Sequence, residues 1–178
     1  MSSGGWQYVI RPRGGELQLV QNCPMTPPRT TADDLLFDVL KEALKPYGQS
    51  AAAILEEWDE DAYMWDFRVV PSRTDSMSVT ATFDGQDAVL LVLGRTQVEL
   101  FPFNEQTLDL VRRLVESAFA GRIEQAGDPR DSYVRVDLST GPVEIGASHV
   151  HVPWDWHEDV QSFSPYGEIE TVFNEKEQ

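Results

Sequence analysis

The chain has 178 residues, 41% of them hydrophobic, which suits a single domain with a core that needs no covalent staple. Its one cysteine, Cys23, rules out an internal disulfide and fits a reducing compartment. Thirty acids against fourteen bases give a net charge of −16, a balance that repels phosphate backbones and anionic lipid and attracts basic partners.

Trp6, Tyr8 and Ile10 alternate with Gln7 and Val9, and Leu17 and Leu19 alternate across residues 16–21. With Arg11-Pro-Arg-Gly-Gly15 between them, residues 6–21 read as a hairpin. Pro24, Pro27 and Pro28 make residues 22–30 a proline-rich loop. Thr31-Ala-Asp-Asp34 resembles a capping box, and Leu35, Leu36, Val39, Leu40, Ala43 and Leu44 follow at helical spacing until Pro46 and Gly48. Ser50 to Glu57, rich in alanine with Ile54 and Leu55, reads as a second, shorter helix.

Glu56-Glu57-Trp58-Asp59-Glu60-Asp61 then packs five acids into six residues. Like charges this close repel, so the run is expected to be exposed. Tyr63, Trp65, Phe67 and Val69 alternate with Met64, Asp66 and Arg68 as a strand. Met77 to Phe83 alternates strictly, Ala88 to Leu93 is apolar throughout, and Gln97 to Phe103 is a further strand closed by Pro102. Asn104 is placed to cap a helix through Leu108, Val111, Leu114, Val115, Ala118 and Phe119, stopped by Gly121.

Arg122 to Ser132, with Gly127-Asp-Pro129, reads as a loop. Strands follow over Tyr133 to Leu138 and Val143 to Val152, turned by Ser139-Thr-Gly-Pro142. The fold class is α+β: a largely antiparallel sheet of about six to eight strands with two or three helices packed on one face. Residues 1–152 form the domain, and 153–178 form an acidic, aromatic C-terminal segment carrying Trp154, Trp156, Phe163 and Tyr166.

Charge is concentrated rather than spread. Residues 32–66 hold ten acids and two lysines, and residues 153–178 hold seven acids and one lysine. Carboxylates meet Lys and Arg, and aromatic side chains beside them supply anchoring area. The partner-binding candidates are therefore Glu56, Glu57, Trp58, Asp59, Glu60, Asp61, Trp65 and Asp66. The histidines offer an alternative. His149 and His151 share a face if 143–152 is a strand, and with His157 and a carboxylate from Asp155, Glu158 or Asp159 they can form a metal shell. A further alternative is a structural subunit of a larger assembly, with the C-terminal aromatics as its contact. The chain has no nucleophile elbow, no P-loop and no dinucleotide glycine fingerprint, and Cys23 has no activating neighbour in sequence, so no catalytic residue and no cofactor is assigned. No apolar run reaches transmembrane length and no charged-then-apolar leader opens the chain, which gives a cytoplasmic expectation.

The strand-turn-strand and capped helix of residues 77–123, ending in Ala-Gly-Arg, is similar to a pattern of small bacterial proteins. The acidic charge and mixed layout resemble the immunity proteins of bacterial toxin systems. That resemblance implies an inhibitor that binds a basic toxin, often a nuclease, and blocks its site. It carries no residue-level assignment. The expectation is a non-enzymatic protein that docks a basic protein partner and binds neither nucleic acid nor membrane.

Overall fold

A computed structural model describes residues 8–13, 16–21, 26–128, 131–146 and 153–168, the first two stretches by backbone alone. The fold is α+β. Helix α1 (Thr31–Leu44) starts on a capping box: the Thr30 hydroxyl accepts from the Asp33 N–H at 3.2 Å, and the Asp33 carboxylate accepts from the Thr30 N–H at 2.7 Å. Helix α2 (Glu105–Phe119) is capped by Asn104, whose side-chain oxygen accepts from the Thr107 N–H at 3.0 Å. Gly121 follows it with φ +68°, the left-handed stop that only glycine adopts freely, and an added Cβ there would lie 2.6 Å from the Pro165 nitrogen.

Strands β1 (Tyr8–Arg13) and β2 (Glu16–Gln21) form an antiparallel hairpin. A five-stranded antiparallel meander runs in chain order through β3 (Ala52–Asp59), β4 (Met64–Pro71), β5 (Val79–Phe83), β6 (Val89–Leu93) and β7 (Thr96–Leu100). The second sheet contains β8 (Ile123–Asp128), β9 (Asp131–Leu138), β10 (Gly141–Gly146) and β11 (Gln161–Ser162), in the order β10-β9-β8-β11.

These arrangements correct three expectations. The strands do not make one sheet of about six to eight; they divide between two larger sheets and a hairpin. Residues 52–59 are strand rather than helix, because pairing with β4 supplies a full ladder of backbone bonds that overrides alanine's helix preference. Residues 123–128 and 131–132 lie in two paired strands rather than in a loop, with Gly127 (φ +81°) and Asp128 opposite Ser132 and Asp131.

Helix α1 packs on β4 and β5 of the five-stranded sheet, while α2 packs on α1 and on β9 of the second sheet. The core gathers Leu36, Leu40, Val111, Leu114 and Val115 from the helices against Phe67, Val69, Val79, Leu91 and Leu93 from the strands. The two sheets lock together through the β6–β7 turn. Gln125, fully buried, donates from Nε2 to the Leu93 carbonyl (3.1 Å) and to Thr96 Oγ1 (2.9 Å), while Ser132 Oγ donates to the Arg95 carbonyl at 3.2 Å. A buried amide with its partners met stabilises; unmet, it would cost several-fold more than it gains.

The segment after residue 153 also contributes to the core. Tyr166 is 2% exposed, stacks on Phe119 at 4.3 Å and donates its hydroxyl to the Met77 carbonyl at 2.6 Å. Asp75 holds the same segment: its carboxylate accepts from Ser164 Oγ at 2.7 Å and from Arg73 Nη2 at 2.9 Å. Hydrogen bonds from Arg73 and then Ser164 hold the Asp75 carboxyl well below the usual carboxylate range.

Candidate functional site

Strands β3 and β4 project the acidic run as a hairpin. The Asp59 carboxylate accepts from the N–H groups of Asp61 and Ala62, each at 2.9 Å, and so fixes the turn. Tyr63 completes it at φ +56°, in the left-handed region that a tyrosine rarely adopts, and the residue is 78% exposed. Alternation places Tyr63 in the strand; in fact the turn takes it, and the strand begins at Met64.

Trp58 sits directly opposite Trp65. The Ser72 N–H donates to the Ala51 carbonyl at 2.9 Å, and in this register that makes positions 53, 55, 57 and 59 the ones that exchange hydrogen bonds with β4. Trp58 and Trp65 are therefore a non-hydrogen-bonded pair, the kind whose side chains approach most closely. Their ring centroids are 5.8 Å apart, and Tyr63 meets Trp58 edge-on at 6.3 Å. Both tryptophans are half-buried, and Trp65 Nε1 is a buried donor with no acceptor.

The candidates do not share one face. Cross-strand partners lie on the same face of a sheet, so Glu56 joins Phe67 on the helix-covered side, together with Trp58 and Trp65. Glu57, Asp59 and Asp66 point to the opposite side, where Glu57 lies directly across from Asp66. Glu56 carries an internal cation: Arg29 Nη1 is 2.9 Å from its carboxylate, Arg29 Nε is 3.0 Å from Asp34, and the guanidinium lies 4.7 Å over the Phe37 ring. Asp66 accepts from the Thr82 hydroxyl. Glu57, Asp59, Glu60 and Asp61 are exposed, and among the described residues no cation bridges any of them.

His149, His151 and Cys23 lie outside the described residues. His157 is half-buried between Tyr133 (ring centroids 4.9 Å apart) and Trp154 (5.6 Å), with its Nε2 buried and without a partner. It borders an open hollow of about 650 Å³ that Arg95, Asp128 and Trp156 also line. Among the described residues, no three His, Cys, Asp or Glu side chains converge on a metal position. No described helix is long and apolar enough to cross a membrane.

No protein-family model, curated protein or solved structure matches the chain. Sequence reading found the acids and both tryptophans. It missed Tyr63 as the exposed tip, although the Asp59-Glu-Asp-Ala62 spacing carries the turn signal, and it missed Arg29, which nothing in the proline-rich loop ties to Glu56.

Proposed function

We propose that this is a non-enzymatic binding protein, an inhibitor of the immunity type, whose acidic hairpin docks a basic protein such as a nuclease toxin. One observation carries the reading: a Trp58–Tyr63–Trp65 cluster, with its tyrosine exposed, stands on a hairpin whose Glu57, Asp59, Glu60 and Asp61 are bridged by no described cation. A left-handed tyrosine costs about 1 kcal/mol relative to a relaxed backbone, so this tip is not the turn that stability alone would choose. Glu57, Asp59, Glu60 and Asp61 steer a positive surface toward the hairpin from beyond contact range. Tyr63 and the edge of Trp58 then supply apolar area and a π face for Lys or Arg.

The test begins with a partner retained from the native host on the immobilised protein. Its association rate is then measured at low and at physiological ionic strength, about 0.15 M, where charges beyond about 8 Å are screened. The expected fall is about tenfold or more, and a Glu57→Gln, Glu60→Gln, Asp61→Asn variant is expected to lose most of that dependence. Equal rates at both ionic strengths would remove the steering role, and a retained partner of acidic charge would remove the reading.

A further inference from the structure

Strand β3 has β4 on one side and, among the described residues, no strand on the other. Strand β7, at the far end of the sheet, lies against the second sheet instead. Because positions 53, 55, 57 and 59 are bonded to β4, the backbone N–H and C=O groups of Ala52, Ile54, Glu56 and Trp58 point outward along this open edge. An unpaired row of this kind is a template for another strand.

We infer that β3 is where the partner binds, and that it binds by adding an extended, basic segment as a further antiparallel or parallel strand. This rests on the docking of a basic protein proposed above and specifies its mode. The division of the acids between two faces supports it. A ligand lying on either face of the hairpin meets only part of the charge. A strand lying along the edge meets Glu56 and Trp58 on one side, and Glu57 and Asp59 on the other. Leu55, 50% exposed, and Ile54 offer apolar contact to alternate residues of the same segment. Arg29 shows that Glu56 takes a guanidinium, held 2.9 Å away over Phe37 and Phe67 on the helix-covered face.

Charge also selects the occupant. Parallel pairing of β3 with β3 of a second copy would set Glu56, Glu57 and Asp59 beside the same residues of the other chain, where like charges destabilise a sheet, and antiparallel pairing along the whole strand would set Glu57 against Ala53 and bring the acids no cation. A strand bearing Lys or Arg supplies the charge that a second copy lacks.

The experiment uses the full chain and two probes: a peptide of about seven residues alternating Lys and Val, and the same peptide N-methylated on the amides of one edge. Both carry the same charge, but the second cannot complete a ladder from its methylated edge. Amide hydrogen exchange is read residue by residue. In the free protein, the amides of Ile54, Glu56 and Trp58 are expected to exchange fast and those of Leu55 and Glu57 slowly. The unmodified peptide is expected to protect the first set by about tenfold or more, and N-methylation is expected to weaken binding by about tenfold or more. Equal binding of both peptides would overturn strand addition while leaving acidic docking standing. Failure of both to bind would overturn the two together, leaving the edge acids with only an anti-aggregation role. Protection of the first set in the free protein would show the edge already occupied, by the β1–β2 hairpin or by a second copy, and would also overturn the inference.

Discussion

Replacing Tyr63 separates what the hairpin needs to fold from what it needs to bind. Tyr63 sits at φ +56°, and in this region asparagine is tolerated where tyrosine is strained. Tyr63→Asn relieves about 1 kcal/mol of backbone strain. Against that stands the loss of one edge-on contact with Trp58 at 6.3 Å, worth about 0.5 kcal/mol for so exposed a residue. The Asp59 carboxylate, which holds the N–H groups of Asp61 and Ala62, is untouched. The free protein should therefore be as stable as the parent or more so, by up to about 0.5 kcal/mol, in urea titrations that leave the m-value unchanged. Partner affinity should fall about tenfold or more, since a buried aromatic anchor commonly carries that share of an interface. Destabilisation of more than about 1 kcal/mol would show that Tyr63 holds the hairpin together, and the argument that its exposure serves recognition would fail.

Two further substitutions probe the scaffold. Thr30→Ala removes the hydroxyl that accepts from the Asp33 N–H and should cost about 1 kcal/mol, read as a fall in Tm of about 2–4 °C. Tyr166→Phe leaves the ring on Phe119 but strands the buried Met77 carbonyl, and should cost about 1–2 kcal/mol in the same urea titration; no change would mean that residues 163–166 are not anchored as described. The same residue sets an alkaline limit. Burial raises the Tyr166 hydroxyl above its ordinary value of 10.0, so the folded form keeps this proton to higher pH than the unfolded form. Its contribution is intact below about pH 10 and is lost above it, at about 1.4 kcal/mol per pH unit. Tyr166→Phe should flatten that part of the decline, while Tyr47, also raised by burial, keeps its own part.

Where one face of an element is buried and the other wet, its pattern was legible in the sequence. Met77, Val79 and Ala81 are buried as the alternation requires, although at the end of the strand Thr82 is buried and Phe83 only partly so, and α2 buries Val111, Leu114, Val115, Ala118 and Phe119 as its periodicity implies. Strand β3 was not legible for a physical reason. Its inner residues are Ala52, Ile54, Glu56 and Trp58 and its outer ones Ala53, Leu55, Glu57 and Asp59, so both faces carry apolar and acidic groups and alternation has no contrast. Its alanines and glutamates favour helix, and only the long-range pairing with β4 makes it strand. Strand β8 was hidden by Gln125, a polar residue in a core position that becomes acceptable only because Leu93 and Thr96, about thirty residues earlier, receive its amide. Reading 52–59 as helix then loop kept the acids together as one exposed patch; as a strand they divide across the sheet.

That division makes the charge itself a test of purpose. Glu57 lies directly opposite Asp66 in a hydrogen-bonded pair, and like charges so placed destabilise a sheet by about 0.2–1 kcal/mol. The chain has cations to spare elsewhere: Arg112 and Arg113 both reach Asp109 on α2, and Lys45 reaches Glu42. None of the described ones is spent on Glu57. If the hairpin keeps this repulsion for a positive partner, Glu57→Gln should stabilise the free protein in low salt by a few tenths of a kcal/mol, the gain shrinking as salt screens the pair, while partner association slows. Urea titrations at two ionic strengths, beside the association rate, measure both sides. A Glu57→Gln protein that is less stable, or that binds as fast as the parent, would mean that the repulsion is absent or that the carboxylate serves solubility alone. Both effects together, opposite in sign and both weakened by salt, are what a surface built for a cationic strand requires.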